Sequence, residues 1–144
     1  MRAVILALGL MVSALVIASA AQAADPPKSG RAGMPVYDAS TEVTLSGAVD
    51  KITEHRHGRM QGKHLWLKTA SETIEVHLGP AAFLAKEKFA VSPSDQIEVT
   101  GSRVKIEGAD ALIARSVKKG ETTWALRDGQ GVPNWARGRA RRRK

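Results

Sequence analysis

Two short runs of alternating residues flank Ala70-Ser71 and constrain this chain more than any other feature. His64-Leu65-Trp66-Leu67-Lys68 and Thr73-Ile74-Glu75-Val76-His77-Leu78 carry apolar residues at every second position, the period of a strand with one buried face. A two-residue turn pairs Thr69 with Glu72, and antiparallel register then sets every other partner. Leu65 faces Val76 and Leu67 faces Ile74 on the core side. Trp66 with Glu75, Lys68 with Thr73 and His64 with His77 share the other side. A chain with this hairpin must build a sheet and cover one of its faces.

The flanking segments extend that sheet. Thr41 to Glu54 places Val43, Leu45, Val49 and Ile52 among polar residues with Gly47 interrupting the alternation, which predicts one long strand bent at the glycine. Glu54 to Lys63, rich in Gly, Arg and His, reads as a loop. Gly79 to Phe89 has a proline near its start and helix-favouring Ala, Leu, Lys and Glu, with Phe83, Leu84 and Phe89 placed to cap a core. Two further strands, Gln96–Ile106 and Ala109–Val117, turn at Glu107-Gly108, and Thr122–Arg127 adds a short sixth. The expected fold is all-β with one helix, an OB-fold Greek-key barrel of five to six strands with the helix between strands 3 and 4, over residues 37–128.

The ends read differently. Met1-Arg2, an apolar stretch from Ala3 to about Ala18 and a closing Ala21-Gln22-Ala23 form a secretory signal over residues 1–23. The chain is therefore expected in the periplasm or secreted, without a transmembrane anchor after cleavage. Residues 24–36, with Pro26, Pro27, Gly30, Gly33 and Pro35, read as a flexible lead-in, and 129–144 as a disordered basic tail. There is no cysteine, so hydrophobic burial must hold the fold, and thiol chemistry, iron–sulfur clusters and covalent haem attachment are excluded. The net charge of +8, from 22 Lys and Arg against 14 Asp and Glu, belongs mostly to the tail. Arg137, Arg139, Arg141, Arg142, Arg143 and Lys144 carry six of those cations, and the stretch 24–136 is close to neutral.

Three phrases, Val43–Val49, Ile74–Leu78 and Asp95–Gly101, resemble the first, third and fourth strands of the small exported bacterial OB-fold (BOF-like) proteins. The resemblance runs from about Tyr37 to Val117. It implies a periplasmic OB-fold module that binds ligands, with no catalytic residues to carry over.

Candidate sites follow from the predicted register. Trp66, Lys68, His64 and His77 share the non-core face and form the preferred ligand-binding surface, an aromatic platform with cations beside it. His55 and His57 end the first strand, and with His64 and His77 they could bring four imidazoles to one end of the sheet. Imidazole is a ligand for Cu and Zn, and Met60 would add a thioether suited to Cu(I). Solvated histidines on a polar face are the competing reading. The Arg tail suits an anionic polymer or membrane surface, or is simply a solubilising end; export disfavours chromosomal DNA. Trp124 is expected to pack on the core, Arg127-Asp128 to start a turn, and Trp135 to pack or to anchor at an interface. No nucleophile elbow, zinc-protease motif, Walker loop or dinucleotide fingerprint is present, so no enzyme is expected. The preferred reading is a ligand-binding module for a small ligand or envelope protein, with no resident cofactor. The alternatives are a Cu or Zn protein built on the histidines and a nucleic-acid binder using Trp66 and the tail.

Overall fold

The computed structural model describes residues 36–140; the expected signal and nearly all of the lead-in lie outside the described residues, as do Arg141, Arg142, Arg143 and Lys144. The chain is mostly β. Its strands are β1 (Glu42–His57), β2 (Met60–Lys68), β3 (Thr73–Pro80), β4 (Gln96–Ile106), β5 (Ala109–Lys119) and β6 (Thr122–Ala125), with helix α1 (Ala81–Lys86) after β3 and helix α2 (Asn134–Ala140) at the end. The second helix corrects the expectation of one. It lies in the stretch read as an unfolded tail, where Arg127 bridges Pro133 and Asn134 N–H bonds the Leu126 carbonyl at 3.0 Å.

The six strands run in the order β3-β2-β1-β4-β5-β6 through antiparallel pairs. A parallel β3–β5 pairing, Glu75 with Ala111 to His77 with Ile113, closes the sheet on itself. β1 serves both sides of the closure: Glu42–Ala48 pair with β4, and Ala48 onward pairs with β2. A Cβ at Gly47 would sit 2.8 Å from the Lys68 carbonyl carbon, and one at Gly101 2.9 Å from that of Ile113. Glycine is required at both corners by close backbone approach. The ladder irregularity in β1 falls between Val49 and Lys51, just past the glycine that alternation had marked.

The β2–β3 register is the one read from the alternation, residue for residue from His64↔His77 to Lys68↔Thr73. The turn closes with Thr69 N–H to the Glu72 carbonyl at 2.8 Å. Leu65, Leu67, Ile74, Val76 and Leu78 are sealed in the core with Val99, Leu112, Val117 and Leu126. Leu84 joins them from α1, and Phe83, Phe89 and Trp124 pack against this core. The helix stops at Lys86, short of the expected Phe89, because Lys88 takes a left-handed φ of 53°. The turn between β4 and β5 is at Glu107-Gly108, both with positive φ, the geometry that matches strand twist in a two-residue hairpin.

The main departure is at 54–63. Instead of a loop, both strands run on to a two-residue turn at Gly58-Arg59, pairing His55↔Gly62, Arg56↔Gln61 and His57↔Met60. Polar residues populate this extension because both of its faces reach solvent, which removes the apolar alternation by which strands are recognised.

Candidate metal centre

The hairpin extension sets the histidines on a ladder. On β1, Thr53, His55 and His57 point to one face; their partners on β2 are His64, Gly62 and Met60, and His64 pairs onward with His77 on β3. Side chains two residues apart share a face and directly paired residues are neighbours, so four imidazoles form one group. Ring centroids lie 4.8 Å apart for His55 and His64, 6.0 Å for His57 and His64, and 4.0 Å for His64 and His77.

Glu75, two residues before His77, completes the cluster. Its Oε1 lies 2.7 Å from Nδ1 of His64 and 3.8 Å from Nε2 of His77. One ligand atom each from His55, His64 and Glu75 come within 4.8 Å of one another. A carboxylate only accepts, so His64 donates from Nδ1 and keeps its lone pair on Nε2. A Cβ at Gly62 would lie 3.5 Å from that Nε2 and 3.5 Å from Cδ2 of His57; the missing side chain leaves room between the two rings. Thr53 Oγ1 holds His55 Nε2 at 3.2 Å.

Electrostatics favour the neutral ligand form. Burial pushes the His64 imidazole below the usual histidine range, against the opposing pull of Glu75. Burial, reinforced by the neighbouring His64, takes His77 down to about 4. His64 is 6% exposed, and Nε2 of His77 is buried with no hydrogen-bond partner. An orphaned buried nitrogen facing a carboxylate is costly unless a further ligand or proton joins it. Two imidazoles held neutral, with His55, His57 and a carboxylate beside them, can hold a divalent transition ion.

The other predicted residues are placed as follows. Trp66 is half-buried on the same face, with Lys51 Nζ 4.8 Å over its ring, so a cation of the chain already takes part of the stacking surface. Lys68 is exposed at the far end of β2. Met60 pairs with His57 at the turn. Arg137 belongs to α2 and pairs with Asp128; Arg139 is in the same helix, and the remaining tail cations lie outside the described residues. Trp124 packs on the core against Phe89 at 4.9 Å, and Trp135 against Phe83 at 5.2 Å. Glu75, opposite Trp66 in the expected register, is absent from the expected metal set, although that register places it one step from His64. Nothing in the sequence marks Arg127 as more than the start of a turn.

A family model described as the MamS/MamX magnetosome protein family matches residues 41–124. The chain belongs to that family. No curated protein matches it. The MamS/MamX assignment overturns the resemblance to the small exported OB-fold proteins: strand alternation and corner glycines, which carried that resemblance, are demanded by any small closed sheet and do not separate families. The MamS/MamX match runs from Thr41, just before β1, to Trp124 in β6, and so contains all four histidines and Glu75.

Proposed function

We propose that this MamS/MamX protein is a non-enzymatic accessory module that binds one divalent transition-metal ion on the β1–β2–β3 face. His55, His57 and His64 are the ligand set; Glu75 holds the Nδ1–H of His64 and so turns its Nε2 to the ion, and His77 packs against the His64 ring. The observation that carries the reading is the approach of His55, His64 and Glu75 ligand atoms to within 4.8 Å, beside an imidazole nitrogen with no partner. Imidazole with carboxylate suits Zn²⁺, Cu²⁺, Ni²⁺ or Fe²⁺. The ligands sit on paired strands, so little ordering is needed when the ion arrives.

The sheet order, closed by β3 with β5 and with a helix between β3 and β4, supports an OB-type barrel as its scaffold. The charged n-region, apolar stretch and A-x-A site support export to the periplasm or beyond. No helix among the described residues is long and apolar enough to cross a membrane. The tail cations support contact with an anionic polymer or surface. Small-ligand stacking on Trp66 has less support, because Lys51 lies over that ring.

Titration of the metal-free chain with Zn²⁺, Cu²⁺ and Ni²⁺ tests the reading. Binding tighter than about 10 μM is expected, with at least tenfold weakening in His64→Ala and in His55→Ala. An ion that binds no tighter than that, or equally well in both variants, overturns it.

A further inference from the structure

A second site lies away from the histidine face. Arg127 follows β6, and its backbone N–H bonds the Arg115 carbonyl at 3.0 Å. Its guanidinium donates through Nη1 to the Ala114 carbonyl and, at 3.5 Å, toward that of Leu78, and its carbon lies 4.8 Å over the Trp135 ring. Arg103 is paired with Glu72, Arg115 with Glu42 and Arg137 with Asp128. Arg127 has no carboxylate within ion-pair distance among the described residues, although burial pushes its guanidinium down to about 10. A desolvated cation without a counter-ion is unfavourable. The guanidinium meets a cavity of about 390 Å³ lined by Val36, Tyr37, Ile113, Gln130 and Val132. None of its nitrogens is sealed from solvent without a partner, so the N–H groups beyond Nη1 remain open to an incoming acceptor.

We infer that this cavity binds a small organic carboxylate, with Arg127 as its counter-ion. The remaining N–H groups of a guanidinium form a planar fork that matches two carboxylate oxygens. Val36, Ile113 and Val132 offer apolar walls for a short hydrocarbon body, with the Gln130 amide beside them. Tyr37 cannot serve as the counter-ion: burial and the Glu42 carboxylate, which accepts a hydrogen bond from its hydroxyl, push the phenol up to about 12, which keeps it neutral. The site is independent of the metal reading.

Butyrate titration of the full chain, followed by ¹H–¹⁵N spectra, tests the inference. Saturable shifts are expected at the Arg127 Nε–H and at the Ile113 and Val132 amides. Arg127→Lys should weaken binding by about tenfold or more, since an ammonium lacks the fork. Val132→Trp, which fills the cavity and leaves the guanidinium, should block it too. Butanol, with the same body and no charge, and sulfate, with charge and no body, should both fail. No shift with butyrate, equal binding of butanol or sulfate, or undiminished binding in Val132→Trp overturns the inference. If Arg127→Lys does not fold, the Val132→Trp and ligand comparisons decide.

Discussion

The metal-free protein should lose stability on mild acidification, and His77 should be a main reason. In the unfolded chain this imidazole takes a proton near its ordinary pKa of 6.5, whereas burial under His64 lowers it to about 4 in the fold. Between those values the unfolded state binds more protons, so stability is complete above pH 6.5 and drains away as pH falls toward 4. A gap of that size corresponds to about 3 kcal/mol at its limit and to about 2 kcal/mol by pH 5. Lowering of His64 by the same burial acts with the same sign. The depressed carboxylates Glu42, Glu72 and Asp95 contribute above their unfolded pKa values near 4 and are lost only below, so they leave the window from 5 to 7 undisturbed. Urea denaturation with a chelator present, at several pH values from 7.5 to 5, measures the slope. His77→Gln should remove about 2 kcal/mol of the loss between those limits. Parallel profiles for the two proteins would show that His77 is not held neutral by the fold.

Leu65 has no exposed surface, and Leu65→Ala should cost about 2–5 kcal/mol in chemical denaturation. Gly47→Ala places a methyl against the Lys68 carbonyl; backbone cannot yield there as a side chain would, and a loss of about 1–3 kcal/mol is expected, read as a lower melting midpoint. Tyr37 is the single tyrosine, so its phenol can be titrated alone by ultraviolet absorbance. Its midpoint should fall from about 12 part of the way to the ordinary value of 10.0 in Glu42→Gln, because the contribution of burial, the largest, remains when the carboxylate is gone.

How much was legible in the sequence depended on which face each strand buries. The β2–β3 hairpin could be aligned residue for residue because Leu65, Leu67, Ile74 and Val76 are all sealed in one core, and a slip of one position would expose every one of them. The β4–β5 hairpin was legible for the same reason, helped by a turn at Glu107-Gly108 that the chain can only take with positive φ. Residues 54–63 offered no such signal. Their pairing rests on backbone hydrogen bonds and on neighbours such as Lys63 and Glu54, whose ends lie 3.3 Å apart, and polar strands of that kind look like loops. The second helix was hidden because its anchor is a tertiary contact: Trp135 lies against Gly79, where a Cβ would stand 2.7 Å from the indole.

The strand pairing over residues 54–63 matters to the metal centre. A flexible Glu54–Lys63 loop would leave His55 and His57 free to splay from His64, and ordering such a segment around an ion costs roughly 1–2 kcal/mol for each residue held. With Thr53, His55 and His57 paired directly to His64, Gly62 and Met60, that ordering is already part of folding. The ladder also explains why Gly62 matters at a position where no turn requires glycine. Gly62→Val should keep the pairing, since a β-branched residue suits a strand, yet fill the gap between His57 and His64. Expected is a protein with an unchanged far-ultraviolet spectrum and metal affinity reduced at least tenfold. Wild-type affinity in a folded Gly62→Val would show that the ion does not use the space over Gly62 between His57 and Nε2 of His64.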